Sequence, residues 1–341
     1  MKKHVFLLGL AVIAMSSCTN DEVLEQAQPV QETIGFESFI NKTTRATDDV
    51  NMTTNTLNEF YVFGYYGDGT EVFTNAAVLK TGEEWNVQEQ ELWTKNNYTF
   101  AAYADGVGTG AVETPTDADC LSDVAFQSGS LVFTNYSLKD KDLIAAHATQ
   151  DNSEGSSQTD VSLTFNHLLS KVSFKFVYTD TENANIKMNI THIVLNVPLT
   201  ATCTSTSSGT SWGSHNGSKQ YQLSDLTEVS TTPEPTVPAE FYVIPEASIA
   251  DGTTLSFTVE FYDDSQADKP EVETRNYSLP LNTGNLNSTT LSSWNANAVY
   301  NYTVNLPFDP LYIDFTVGDV NDWGNTYSPT ITPNDSPVGG N

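Results

Sequence analysis

Three cysteines and five histidines are the candidates for nucleophilic and metal chemistry. Their spacing argues against both. His147, His167, His192 and His215 follow His4, and none has the His-x-x-x-His spacing that sets two imidazoles on one helical face. His167 and His192 fall in stretches that read as strands. On neighbouring strands they would suit zinc; otherwise each is a structural histidine at a strand irregularity. No Gly-x-Ser-x-Gly elbow presents a nucleophilic serine. Neither Cys120 nor Cys203 has a histidine close by in sequence. Asp117-Ala118-Asp119 and Asp48-Asp49 do not match an EF-hand loop and read as solvated loop acids. Among 43 acidic residues, no spacing marks out the carboxylate pair of a glycosidase. The expectation is a protein with no catalytic residues, no metal and no cofactor.

Three other residues stand where something is done to the chain or by it. Cys18 closes Met15-Ser16-Ser17-Cys18, behind a basic start at Lys2-Lys3 and an apolar run, Val5 to Met15. That run is shorter than the about 20 residues a membrane-spanning helix needs. The pattern is a signal peptide whose end resembles a lipobox, so Cys18 becomes the acylated first residue. The acidic stretch Thr19-Asn20-Asp21-Glu22 resembles the surface-export signal of Bacteroidetes lipoproteins. Acyl chains contribute about 0.8 kcal/mol per buried CH2, enough together to hold the chain on a membrane. Arg45, one of two arginines with Arg275, sits in polar Lys42-Thr43-Thr44-Arg45-Ala46-Thr47-Asp48-Asp49, the extended, accessible backbone an Arg-specific protease requires. Trp212 lies in a Ser/Gly/Thr-rich segment; it either stacks on a ligand such as a sugar ring or folds back on its own domain.

These residues need a scaffold, and the composition indicates a β one. Tyr, Phe, Thr and Asn are abundant while Lys and Arg are few, which suits sheet. Alternating runs recur: Ile34-Gly35-Phe36, Leu57 to Tyr65, Tyr98 to Tyr103, Leu131 to Phe133, Val161-Leu163-Phe165, Val172 to Tyr178, Ile190 to Val197, Leu255 to Tyr262 and Tyr300 to Leu306. No long stretch has a helical period with caps. Residues 148–160 lack a large apolar group and read as a linker or exposed loop; residues 200–220 read as a long loop or hairpin tip. The net charge of −29 repels phosphate backbones and anionic lipid, which excludes nucleic acid as a partner. Cys120 and Cys203 fall in different expected halves, which favours two unpaired thiols over a disulfide.

Several segments together resemble the fimbrillin (type V pilin) family of Bacteroidetes, including its minor-fimbrillin-like members. They are Ile34-Gly35-Phe36 with Thr43-Thr44-Arg45-Ala46, Phe60-Tyr61-Val62-Phe63-Gly64-Tyr65, Tyr98-Thr99-Phe100-Ala101-Ala102-Tyr103, Asp142-Leu143-Ile144-Ala145-Ala146, Leu163 to Val172, and Val320-Asn321-Asp322-Trp323. They occur in the family's order across most of the chain. The resemblance implies an all-β fold of two tandem transthyretin-like β-sandwich domains after a lipoprotein signal peptide. The corresponding map is a signal peptide over 1–17, a lipidated tether over 18–32, an N-terminal sandwich over 33–155, a C-terminal sandwich over 156–325 and a tail over 326–341.

The resemblance also implies a function: a stalk, tip or accessory subunit of surface fimbriae serving adhesion. Cleavage between Arg45 and Ala46 would release the strand holding Ile34 and Phe36. Another subunit would then fill the vacated edge by strand addition. The tail is the expected donor, with Tyr327, Pro329 and Ile331 on one face, although Pro329, Pro333 and Pro337 cannot donate ladder hydrogen bonds. The implied location is the outer-membrane surface, then the fimbrium after processing. The alternative is a permanently anchored surface lipoprotein that binds glycans or host proteins.

Overall fold

The computed structural model describes residues 32–40, 57–106, 123–155, 159–178, 183, 185–229, 240–250, 252–282, 292–308, 314–317 and 325–327. Among the described residues, twenty-one strands form four sheets and no helix occurs.

The largest sheet contains β1 (Phe36–Ile40), β2 (Glu59–Tyr66), β3 (Glu71–Thr81), β4 (Glu84–Val87), β5 (Asn97–Asp105), β8 (Leu143–Asp151) and β9 (Val161–His167), in the order β1-β9-β8-β5-β2-β3-β4. All its neighbours are antiparallel except β1 and β9. Both faces are apolar because both are covered. Phe60, Val62 and Phe100 belong to one core, and Tyr61, Phe63, Ala101 and Tyr103 to another. Gly64 lies among these aromatics; a Cβ there would come within 3.0 Å of the Phe73 and Phe100 rings.

A four-stranded sheet of β6 (Val124–Gln127), β7 (Ser130–Ser137), β12 (Thr200–Thr206) and β13 (Gly209–Asn216) packs on the Tyr61 face. Phe133 meets Tyr103 edge-on at 5.5 Å and Phe126 stacks on Phe63 at 6.5 Å. The remaining strands form two facing sheets. One holds β10 (Ser170–Tyr178), β16 (Phe241–Val243), β19 (Ala298–Leu306), β20 (Asp314–Val317) and β21 (Asn325–Tyr327). The other holds β11 (Ile186–Val197), β14 (Lys219–Gln222), β15 (Leu226–Val229), β17 (Thr254–Asp263) and β18 (Glu271–Pro280). Their inner faces meet through Phe176 and Phe257, 5.1 Å apart, and around Trp294, whose indole N–H donates to Tyr302 Oη at 2.8 Å.

Strand pairing crosses residue 155. β9 extends the first sheet beside β8, and the β12–β13 hairpin joins β7. The polar stretch from 148 thus begins inside β8, which runs to Asp151, and turns at residues 152–155, where Ser, Gly and Asn are at home. The segment 200–220 is mostly strand rather than loop, with its turn at Ser207-Ser208. Ala201, Cys203 and Ser205 alternate inward along β12, so small side chains there carry the period usually signalled by large ones.

Candidate functional site

The N-terminal segment closes the first core. Ile34 and Phe36 are each 3% exposed, with Gly35 between them. Strand periodicity sends alternate side chains to one face, and here that face is the core. Phe36 sits edge-on among Phe60, Phe73 and Phe100, with ring centroids 6.1, 5.8 and 5.7 Å away. Ile34 and Trp93 join the same cluster. Burying one such side chain contributes about 1.5–3 kcal/mol. Gly35 is required by closeness: a Cβ would fall 2.0 Å from Asp160 Oδ1.

Two clasps hold the segment. Residues 36–40 run parallel to β9 in register with Val161–Phe165, and Val161 N donates to Gly35 O at 2.8 Å. Upstream, Ile34 N donates to Glu91 O at 2.8 Å and Trp93 N to Glu32 O at 3.0 Å, around a bridge between Thr33 and Leu92. β1 also touches β4, so the sheet curls until its two ends meet at this segment. The second clasp was not foreseen; Trp93 was visible as a tryptophan, but nothing local paired it with residue 32. Removing residues 32–40 would leave the backbone edge of β9 unpaired and an apolar groove floored by Phe60, Phe73 and Phe100. Such an edge is a template for another strand.

Cys18, Arg45 and Ala46 lie outside the described residues, as do Cys120 and Trp323. Arg275, the other arginine, is 4% exposed. Its guanidinium bonds Glu273 through Nε at 2.8 Å and Nη2 at 2.6 Å, and Phe308 O through Nη2 at 2.9 Å. A protease cannot reach such a residue without unfolding β18. Trp212 is half-buried in β13, with its indole N–H on Leu168 O at 2.8 Å and its ring 5.7 Å from Tyr136. It is folded back on the protein.

The histidines are placed apart. His167, on β9, contacts Asp142 at 2.6 Å, both buried. His192 sits at the register break of β11 with a left-handed backbone, φ 54°, so the two are on strands of different sheets. His147 Nε2 lies 3.1 Å from Ser205 Oγ, and burial lowers its pKa. Ser205, however, is 3% exposed and out of reach of a substrate. Cys203 is a free, buried thiol whose pKa burial pushes far up, which makes it inert. Among the described residues, no three His, Cys, Asp or Glu side chains group to hold a metal ion.

A family model described as fimbrillin-like matches residues 44–323. Among solved structures, a fimbrial protein from Bacteroides vulgatus ATCC 8482 superposes with a TM-score of 0.52 at 14% identity, over 85% of this chain and 99% of its own. A protein from Parabacteroides distasonis ATCC 8503 named for cell adhesion superposes with a TM-score of 0.50 at 11% identity, over 91% of this chain and 98% of its own. At these identities the likeness is one of fold. No curated protein matches the chain.

Proposed function

The chain belongs to the fimbrillin-like family, and from that premise we propose that it is a non-catalytic structural subunit of surface fimbriae, serving adhesion and joined to its neighbours by strand addition. The observation that carries this reading is the N-terminal segment. It supplies Ile34 and Phe36 to the core yet is the terminal strand of its sheet, paired laterally over five residues. A strand so placed can leave by one cut in the connection to β2, and Arg45 lies in that connection. In this proposal Cys18 is acylated and carries the chain to the outer-membrane surface. Cleavage between Arg45 and Ala46 then detaches lipid and strand together, and a neighbour's strand fills the groove.

The test uses the full chain carrying Cys18→Ser to prevent acylation, treated under native conditions with an Arg-specific protease. The expected result is a single cut after Arg45, none at Arg275, and uptake of a synthetic peptide spanning residues 32–40 by the cut protein. Resistance at Arg45, or a cut chain that takes up no peptide, overturns the strand-release reading.

A second reading, a permanently anchored surface lipoprotein that binds glycans or host proteins, draws support from the C-terminal end. β20 pairs antiparallel with β19 over Tyr302–Asn305, and β21 runs parallel to it beside Ala298–Tyr300. The start of the expected donor tail is therefore engaged within its own chain. Sizing of surface extracts separates the two readings: a ladder of multimers supports the fimbrial subunit, and monomer that binds a glycan array supports the anchored lipoprotein.

A further inference from the structure

We propose that the outer face of the β11–β17–β18 sheet carries a binding site for a primary ammonium group, supplied either by a small diamine or by a lysine side chain. This site is independent of strand release and would serve an assembled or an anchored protein alike. It is a cavity of about 390 Å³ lined by Asn189, Glu228, Glu260, Tyr262, Lys269 and Glu271, among others, within the size range of small-ligand pockets.

Strand register explains how these residues meet. Asn189 lies opposite Glu260, and Lys187 and Glu271 flank Tyr262, all along one face. β18 carries one extra residue, Val272, against the step from Phe261 to Tyr262, an irregularity of the kind that re-aims side chains near functional sites. On β15, Glu228 is held by a hydrogen bond from its N–H to Asn189 Oδ1 at 3.1 Å. Glu228 and Lys269 both have left-handed backbones, φ 53° and 41°. Neither residue type favours that conformation.

The occupant's chemistry is shown by what occupies the site now. Lys269 Nζ lies 5.4 Å above the centre of the Tyr262 ring, 2.8 Å from Glu228 Oε1 and 3.0 Å from Asp264 Oδ1. An ammonium over an aromatic face between carboxylates is the arrangement by which proteins recognise amines. Lys269 is itself about half exposed, and an exposed ion pair is weak, so a ligand's ammonium can take its place. Two features are not engaged by Lys269, whose ion pairs are with Glu228 and Asp264. Glu260 and Glu271 add two further carboxylates to the rim, and the Tyr262 hydroxyl, in a residue 93% buried, has no hydrogen-bond partner. An incoming N–H donor would satisfy that hydroxyl, which Lys269, centred on the ring, does not. The net charge of −29 raises the local concentration of cations and lowers that of anions.

The experiment is calorimetric titration of the full Cys18→Ser chain at low salt with 1,5-diaminopentane, with N-acetyl-lysine methylamide, and with uncharged 1,5-pentanediol. Saturable one-site binding of either amine and none of the diol is expected; the tighter amine identifies the source as a free diamine or a lysine side chain. Lys269→Ala, which removes the competing ammonium, should tighten binding by about fivefold, the scale of one exposed ion pair. Lys95→Ala, the same charge change at an exposed site in the first sheet's surroundings, should leave it unchanged. Tyr262→Phe should weaken binding without lowering the melting temperature, because the lost hydroxyl had no partner to lose. Absence of saturable amine binding, equal binding of the diol, or equal effects of Lys269→Ala and Lys95→Ala overturns the proposal.

Discussion

Each end of the described chain adds a strand in parallel to a sheet, β1 to β9 and β21 to β19, and the two hydrophobic cores of the molecule differ in which strands supply them. The first core takes Ile34 and Phe36 from the added segment and surrounds Phe36 with three aromatic rings. The second takes residues from all four sheets, from Tyr61 and Tyr103 of β2 and β5 and Phe133 of β7 to Trp294, Tyr300 and Tyr302. Loss of the segment that carries Ile34 and Phe36 opens the first core. A strand at the end of a sheet has one lateral neighbour, so the release proposed above would break no pairing between the other strands.

The largest expected effect tests that dependence. Phe36→Ala should destabilise the first core by about 3–5 kcal/mol, the usual cost of truncating a buried phenylalanine. Amide hydrogen exchange, read strand by strand, should show protection lost in β2, β5 and β9 and kept in β11 and β17. An equal loss in β11 and β17 would mean that the cores open as one unit, and the contrast would fail. A smaller effect sharpens it. Gly64→Ala forces a methyl against Phe73 and Phe100 and should cost about 1–3 kcal/mol by overpacking. The same rings contact Phe36, so the two changes share a site and should not add. In the Phe36→Ala background, Gly64→Ala should cost less, read by denaturant titration; strict additivity would place Phe36 outside the shared cluster.

Much of the first core was legible because its strands alternate. Val161, Leu163 and Phe165 read as one face and are buried on one face. Ile34 and Phe36 read as a strand opening and are core residues. Phe60 with Val62, and Tyr61 with Phe63, separated into two faces that now belong to two cores. Pairing was not legible. Nothing near Phe36 indicates β9, some 125 residues on, because partner choice is set by the closed sheet and not by local period. The β12–β13 hairpin read as a long loop or hairpin tip, and its strands went unseen because Ala201, Cys203 and Ser205 bury little area each. The ammonium cavity was invisible for another reason. It rests on an extra residue in β18 and on two left-handed residues, and neither leaves a mark in hydrophobic pattern.

A mutation at the joint asks whether the two regions are coupled at all. Trp212 bonds Leu168 O, in the turn that takes the chain from β9 of the first sheet to β10 of another. Trp212→Phe keeps most of the apolar ring and deletes the donor, so it should cost about 1 kcal/mol. Exchange should rise around that turn and little elsewhere. A loss spread through β2 and β5 would show that the turn transmits strain into the first core, and the two regions would no longer be separable.

The smallest effect concerns the acids each region buries. In the first, Asp105 is raised by burial but faces Lys139 and Tyr136. In the second, Glu246 is 2% exposed and raised chiefly by burial. Its two oxygens accept from Thr253 Oγ1 at 2.8 Å and Ala250 N at 3.1 Å, both neutral donors. The sign follows from proton binding. Above the ordinary glutamate range, the unfolded chain has released this proton while the folded chain still holds it. Stability therefore falls as pH rises through the window between the two values, and it is fully present below it. Glu246→Gln should remove that slope from the unfolding of β17 and leave the pH response of the first core unchanged. The comparison is made against the parent chain, because general repulsion among 43 acids falls with pH in both. An unchanged slope in Glu246→Gln would mean that the two neutral donors already offset burial, leaving the second core no more sensitive to rising pH than the first.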